Sequence, residues 1–333
     1  MANVNQTTMA DDIKTKYESR LLTRAVPRLI HGRWGKLATI NKFGSYELRK
    51  FGSLSAISSA LTEGTTPAEQ SAPSLTLVTI TPLFYGSWLG WTDELEMTAF
   101  DPIISEMSSI LGEQAGVSAD TLIRNDMTDN ATKDYSGAAT SRATLDAPAH
   151  NITYADFVKN LAALQAADAL PLEGQDFVVI IHPHTFASLM EDNTFVNAFV
   201  QEVSNSPIRS GYMGRLLNCQ VYVSSNSREY ADGGVGSTTD VYSMLFIGRE
   251  AYGYVGFAGI TPDMMDSGKD GFDTNTGKEV KPVEIIVKQL GSAGADDPLN
   301  QRATVGWKMS LATSVLNSTW IRDLEHTNIF SDD

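Results

Sequence analysis

The chain has 333 residues, 42% of them hydrophobic and 20% charged, the make-up of a globular protein that can bury a large core in one elaborate domain or two ordinary ones. No run approaches the ~18 apolar residues of a membrane span, and Met1 to Asp12 lacks the apolar stretch of a secretory leader. Cys219 is the sole cysteine, which rules out an intrachain disulfide and suits a reducing compartment, and the net charge of −15 argues against generic binding to nucleic acid, whose affinity comes from Lys and Arg.

The charge is uneven. Residues 1 to 50 hold ten Lys/Arg against four Asp/Glu, a balance of +6, so the remaining 283 residues carry −21. A basic arm on an acidic body suggests subunits that attract one another. Within it, Ile13 to Val26 has helical spacing, with Tyr17, Leu21, Leu22 and Ala25 on one face. Lys16, Arg20, Arg24 and Arg28 recur at four-residue steps, and Pro27 should end or kink the helix. A solvated basic face and an arm that docks on a neighbour are both open.

Tyr46 to Phe51 reads as a strand. Leu75 to Trp91 reads as β throughout, and at about 3.3 Å per residue it would reach roughly 50 Å. The two bracket Ser53 to Ser74, rich in Ser, Thr, Ala, Gly and Pro, which predicts a long hairpin with a weakly apolar tip. Along the return strand Leu75, Leu77, Leu83, Tyr85, Leu89 and Trp91 share one face, and Val78, Ile80, Phe84 and Trp88 the other. Both faces want cover, and a two-stranded ribbon is marginal by itself, so something outside it must bury it.

Asp101-Pro102 opens a helix, with Asp as N-cap and Pro at the first position. Ile104, Met107, Leu111, Ala115, Ser118 and Leu122 continue it to about Met127, a spine near 38 Å long. Thr128 to His150 is polar and reads as a loop. Thr153 then caps a helix carrying Phe157, Val158, Leu161 and Leu164, with Asp156 in the capping-box position. A buried strand, Phe177 to Ile181, precedes a helix from about Thr185 to Glu191. Val196 to Val203 and Ile208 to Leu217 read as helical. Gln220 to Ser224, Val241 to Gly248, Tyr252 to Phe257, Val283 to Gln289 and Thr304 to Leu311 read as strands. Mixed elements of this kind indicate α+β.

Chemistry is sparse. His182-Pro183-His184 places two imidazoles in one turn, but without a third ligand of suitable spacing it reads as a strand-to-helix corner. Asp273-Thr274-Asn275-Thr276-Gly277, with Glu284 beyond, echoes a calcium loop; Lys278 stands where glycine is needed, so a hairpin turn at Asn275 to Gly277 is expected. His31, His150 and His326 have no partner in sequence. Phosphate loops, nucleophile elbows and paired carboxylates are lacking, so no active site and no cofactor is implied.

A basic arm, an oversized β-arm, a spine helix and a second α+β region resemble the major capsid protein of tailed bacteriophages, the Hong Kong 97 fold. The match is closest to the branch typified by N-four-like podoviruses. It rests on Leu61-Thr62-Glu63-Gly64-Thr65-Thr66-Pro67, Tyr85-Gly86 with Thr92-Asp93-Glu94, Leu111-Gly112-Glu113-Gln114-Ala115 and Ile181-His182-Pro183. It continues through Gly214 to Val221, Phe246-Ile247-Gly248, Asp297 to Arg302 and Val305 to Lys308.

The resemblance implies an N-terminal arm over 1–43, an extended loop over 44–91, a peripheral domain with the spine helix over 92–150, an axial domain over 151–298 and a return to the peripheral domain over 299–333. It implies hexamers and pentamers of the chain closing into an icosahedral shell around double-stranded DNA. Further partners are a portal protein and a separate scaffold or decoration protein, with no membrane, and assembly in the host cytoplasm precedes residence in the virion capsid. Glu63, Pro67, Leu75, Leu77, Phe84, Tyr85, Trp88 and Trp91 are the expected intersubunit arm residues, and Lys16, Arg20, Arg24 and Arg28 those of the basic N-arm. With no Lys between Phe51 and Trp91, the Lys-to-Asn crosslink of some relatives is not expected. The alternatives are an encapsulin-like compartment, a monomeric calcium-binding adhesion module, and a hydrolase using His182 and His184.

Overall fold

A computed structural model describes residues 30–40, 45–58, 60–66, 69–98, 103–172, 176–195, 212–257, 271–273, 278–280, 283–292 and 297–331. In chain order its elements begin with strands β1 (Lys36–Ile40), β2 (Tyr46–Phe51), β3 (Leu75–Ile80) and β4 (Leu83–Thr92), then helices α1 (Asp93–Thr98) and α2 (Ile103–Asn130). Next come β5 (Thr132–Tyr135), α3 (Tyr154–Ala166), β6 (Phe177–Ile181) and α4 (Pro183–Glu191). The remainder is strand: β7 (Tyr212–Leu216), β8 (Cys219–Val223), β9 (Glu229–Tyr230), β10 (Val241–Ile247), β11 (Tyr252–Phe257), β12 (Gly271–Asp273), β13 (Lys278–Val280), β14 (Val283–Lys288), β15 (Arg302–Val315) and β16 (Ile321–His326).

The 14-residue β15 organises the first sheet, of order β1-β11-β15-β14 with β4 also on β15. Its alternation is that of a strand with one face on a core: Ala303, Val305, Trp307, Met309 and Leu311 are buried and pack with Leu111 and Ala115 of α2. The Trp307 indole donates to Gln114 Oε1 at 3.0 Å. At 28 residues, α2 runs about 42 Å, and its far end carries Ile123 and Met127 into the same cluster.

The second sheet has order β5-β16-β10-β6-β8-β7. All five residues of β6 are buried because it is covered on both sides. Val178 and Ile180 face the cluster shared with α2, while Val179 and Ile181 face Phe157, Leu161 and Leu164 of α3 and Leu189 of α4. Thr153 caps α3, accepting from the Asp156 amide and donating its hydroxyl to Asp156 Oδ2 at 2.7 Å.

Three expectations are corrected, and two elements are added. Leu75 to Trp91 is not one strand. It breaks at Thr81-Pro82, where proline has no N–H for a ladder; β3 pairs with β2, whereas β4 pairs with β15 from Leu83↔Leu311 to Thr92↔Arg302. The covered face changes phase at the break, from Val78 and Ile80 to Tyr85, Leu89 and Trp91. The expected loop after Thr128 contains β5, which lies parallel to β16 from Thr132↔Arg322 to Tyr135↔Glu325. The stretch ending at Leu217 is strand where described, not helix. Leu217 and Asn218 both have positive φ, +48° and +61°, the two-residue turn whose twist suits a hairpin, and it returns β7 onto β8. Finally, α1 and β1 were not foreseen. Val196 to Val203 and the Asp101-Pro102 cap lie outside the described residues; β12 and β13 pair with Asp273↔Lys278, and the turn between them is likewise outside.

Several buried polar groups carry pH dependence. Lys133 contacts Asp323 Oδ2 at 2.6 Å and Glu325 Oε1 at 2.8 Å, and Arg142 grips Glu325 with two bonds of 2.8 and 2.6 Å. Burial pushes the Asp323 carboxyl up to about 6 against the pull of Lys133. Burial also acts on Glu325, but the bonds from Arg142 and Lys133 outweigh it and hold that group below its usual value. His326 is fully buried between Thr185 Oγ1 and the Leu324 carbonyl, at 2.9 and 3.0 Å. Burial holds it near 4, and burial followed by His184 does the same for His182.

A histidine whose pKa is depressed by folding binds fewer protons folded than unfolded, so its contribution is lost as pH falls from about 6.5 to 4; raised Asp323 acts in the opposite sense between about 4 and 6. Two such histidines outweigh one carboxyl, so stability should fall by a few kcal/mol over that interval. In urea unfolding of unassembled protein, wild type should exceed His326→Gln at pH 7 and converge on it toward pH 4. A constant gap would contradict a neutral buried His326.

Candidate assembly surfaces

The ribbon of β2 and β3 is paired from Tyr46↔Ile80 to Phe51↔Leu75, roughly 20 Å of ladder. Only its base is covered. Ile80 packs on Val255, with Tyr46, Leu48, Val78, Ala312 and Leu316 around them, and the Lys50 ammonium lies 5.1 Å above the Trp320 ring. Beyond the ladder Gly52 N–H donates to the Ser74 carbonyl at 2.7 Å, and the Gln70 amide to the Ser55 carbonyl at 3.2 Å. The strands thus stay together into the tip, where Gly64 at φ +77° accommodates a turn.

Large apolar side chains are exposed along this ribbon: Phe51 at 69%, Ile57 at 77% and Leu61 at 78%, with Leu54, Leu75 and Leu77 about half exposed. A folded chain seldom leaves such a run to water. Glu63 is exposed at the tip, and Pro67 lies outside the described residues. Phe51, Leu54, Ile57 and Leu61 were not among the expected arm residues; their signal was large apolar residues set in a Ser/Ala-rich stretch too short of partners to bury them.

A second apolar surface lies on β4, and here the expected arm residues separate. Trp91 is 4% exposed, and its indole donates to Glu96 Oε2 at 3.0 Å. It belongs to the core with Trp307 and Leu111, so its place among arm residues is corrected. Tyr85 packs on the same core from its edge. On the other face Phe84 is half exposed and Trp88 69% exposed, beside Ile286. They border a groove of about 570 Å³ that also includes Gly86, Gly306 and Lys288.

Lys16, Arg20, Arg24 and Arg28 lie outside the described residues, but the root of their segment is fixed. His31 is buried, its backbone N–H and Nδ1 each 2.8 Å from a carboxylate oxygen of buried Asp120 on α2. Asp120 also accepts from Asn226 Nδ2 at 2.6 Å, and the Tyr252 hydroxyl donates to the His31 carbonyl. Sequence spacing could not reveal a pair separated by 89 residues.

His182-Pro183-His184 forms the corner from β6 into α4. His182 is its N-cap, Nδ1 accepting from the His184 N–H at 3.2 Å, while His184 Nδ1 meets the Tyr242 hydroxyl at 3.0 Å. Among the described residues no three His, Cys, Asp or Glu side chains are placed to hold a metal ion.

The family model for the phage capsid protein matches residues 76–321, most of the chain. The chain belongs to the phage capsid protein family. Solved structures agree on the fold. The capsid of Ralstonia phage GP4 is similar at TM-score 0.62 and 14% identity, over 88% of this chain and 87% of that one. The cyanophage Pam1 capsid is similar at TM-score 0.60 and 14% identity, over 92% and 93%. The holo-SrpI encapsulin of Synechococcus elongatus PCC 7942 is similar at TM-score 0.56 and 8% identity, over 90% and 88%. No curated protein sequence matches. The protein is thus a major capsid protein of the α+β Hong Kong 97 type, a structural chain that associates with itself into the shell of a virion.

The two tryptophans of β4 should behave oppositely in this capsid protein. Trp91→Ala should lower the stability of the unassembled chain by about 3–5 kcal/mol, and Trp88→Ala should change it by about 0.5 kcal/mol or less, as read by urea unfolding. Equal losses would mean that Trp88 is part of the monomer's core.

Proposed function

We propose that the chain forms hexamers and pentamers that close into an icosahedral shell around the double-stranded DNA of a tailed phage, with the β2–β3 ribbon of the 44–91 segment as the extended loop reaching across a neighbouring subunit while β4 stays in its own sheet. The observation that carries this is the ribbon covered only at its base, with Phe51, Ile57 and Leu61 left to water. At about 25 cal/mol per Å² of apolar surface, such a run stabilises a contact strongly once another subunit covers it. The remaining divisions are an arm over 1–43, a peripheral domain over 92–150 and 299–333, and an axial domain over 151–298. The basic residues Lys16, Arg20, Arg24 and Arg28 clamp an acidic neighbouring surface, leaving from the anchored His31.

The acidic balance of the chain suits a lining that lets DNA slide in without adhering. A portal protein occupies one vertex, a scaffold or decoration protein is a further partner, and assembly takes place in the host cytoplasm. The N-four-like podoviruses are the branch we assign. The absence of Lys from Phe51 to Trp91 leaves the arm held by packing and hydrogen bonds. The likeness to an encapsulin supports a second reading, a cargo compartment; shells filled with DNA in infected cells would decide against it.

Deleting Ser53 to Ser74 should leave a soluble, folded chain that fails to close shells in sedimentation and electron microscopy. If the deletion instead abolished the monomer's own unfolding transition, the tip would be an intrachain element and the reading would fail.

A further inference from the structure

Two arginines converge at the seam between α2 and the second sheet with no carboxylate between them. Arg124 of α2 donates from Nε and Nη2 to Asn125 Oδ1 at 3.2 and 2.9 Å, and from Nη1 to the carbonyl and Oδ1 of Asn226 at 2.7 and 3.0 Å. Arg228, immediately before β9, donates to the same Asn125 Oδ1. A carbonyl oxygen has two lone pairs, and here three guanidinium N–H groups share one neutral oxygen. Like charges so close disfavour each other. Burial, and then the Arg228 charge, hold the Arg124 guanidinium below its ordinary value against the opposing influence of Asp120, Tyr230 and Asp129.

The neighbouring carboxylates are engaged elsewhere. Glu325 takes Arg142 and Lys133, and Lys133 also holds Asp323. Asp120 takes His31 and Asn226, and Glu229 accepts from the Tyr242 hydroxyl at 3.1 Å. Arg228 has no carboxylate partner among the described residues, and its Nε and Nη2 make no hydrogen bond there. It is nonetheless held in place, its guanidinium carbon 4.9 Å from the centre of the Tyr230 ring, which Arg142 also covers at 3.4 Å. In the same segment the hydroxyls of Ser227 and Tyr230 are buried without a hydrogen-bond partner. Donors therefore outnumber acceptors in this corner of a chain that has 40 acidic and 25 basic residues.

We propose that Arg124 and Arg228 form a binding site for a phosphate dianion, inorganic phosphate or a phosphomonoester, which bridges α2 to the segment entering β9. A guanidinium fork matches two phosphate oxygens at once. The charge of such a group near pH 7, about −1.5 to −2, offsets both arginines, whereas a carboxylate or a single phosphodiester of DNA offsets one. Arg124, Asn125 and Arg228 are each half-buried, so the site is open to a small ion yet partly shielded from the salt that screens fully exposed charges. Bound there, the ion ties the spine helix to the second sheet.

The test uses the unassembled full-length chain near pH 7, with inorganic phosphate titrated against chloride at equal ionic strength. The urea midpoint of wild type should rise with the logarithm of phosphate concentration once the site fills, and calorimetry should count one site per chain. Arg228→Gln should weaken binding about tenfold or more, and Arg228→Lys, which keeps the charge without the fork, should fall between it and wild type. Phosphate also stabilises proteins generally by exclusion from their surfaces, so the reading is the difference between wild type and Arg228→Gln. An equal response in the two would overturn the assignment. So would an Arg228-dependent affinity for a short DNA duplex without any for phosphate, which would make this a nucleic-acid contact, or Arg228-dependent self-association that phosphate does not compete, which would make it a seat for a carboxylate of a second copy.

Discussion

Trp307 of β15 lies against α2 with its indole bonded to Gln114, and the odd-numbered residues on either side of it bury with Leu111 and Ala115. Because β15 carries β4, β14 and β11 along its length, seating its odd face on the helix orients the whole first sheet. The even face then points away from the core by the two-residue period of a strand. That is why Trp91 and Trp88, three residues apart on one strand, have opposite fates. The same α2 continues past Ile123 and Met127 to the second sheet, where Val178, Ile180 and Leu245 join the cluster. One helix therefore ties both sheets into a shared core.

The second sheet is built on a different balance. Its central strands β6 and β10 are buried on both faces, so their sequences are almost wholly apolar, broken only by Ser243, and these were legible: Phe177 to Ile181 and Val241 to Ile247 carry no alternation to misread. The spine was legible through its three- and four-residue stripe, and α3 through Thr153 and Asp156. Where local signals competed, the reading failed. Leu75 to Trp91 carries apolar residues on both faces, and Pro82 was the signal that the partner strand changes there. The hairpin from β7 to β8 turns on Leu217 and Asn218 at positive φ, and leucine is not a residue that advertises such a turn. β5 is four polar residues, strand only because β16 offers it a ladder and buried Glu325 and Asp323 need Lys133.

Tertiary pairs account for the rest of what was illegible. His31 and Asp120 are distant in sequence and unremarkable singly, yet each is fully buried and they are bonded to each other through the His31 N–H and Nδ1. Burying either group alone would carry a large desolvation cost, and pairing offsets it. The consequence is positional. His31 is held against the middle of α2, beside Asn226 at the periphery of the second sheet. Arg124 reinforces the seam, donating to the Asn226 carbonyl at 2.7 Å.

Exposed apolar surface is a liability for any unassembled chain, and this one carries two such surfaces. A net charge of −15 keeps copies soluble by mutual repulsion, so attachment must come from local complementarity strong enough to overcome the global field. The ribbon supplies such a surface: Phe51, Ile57 and Leu61 stand exposed, and the tip from Gly52 to Ser74 is purely acidic where it is charged. A contact between two different surfaces of identical chains is heterologous, and it propagates into a ring when its rotation closes. A two-fold contact would have joined one surface to itself and stopped at a dimer. The Thr81-Pro82 break separates the ribbon, whose strands pair only with each other, from β4, which is built into the first sheet on β15.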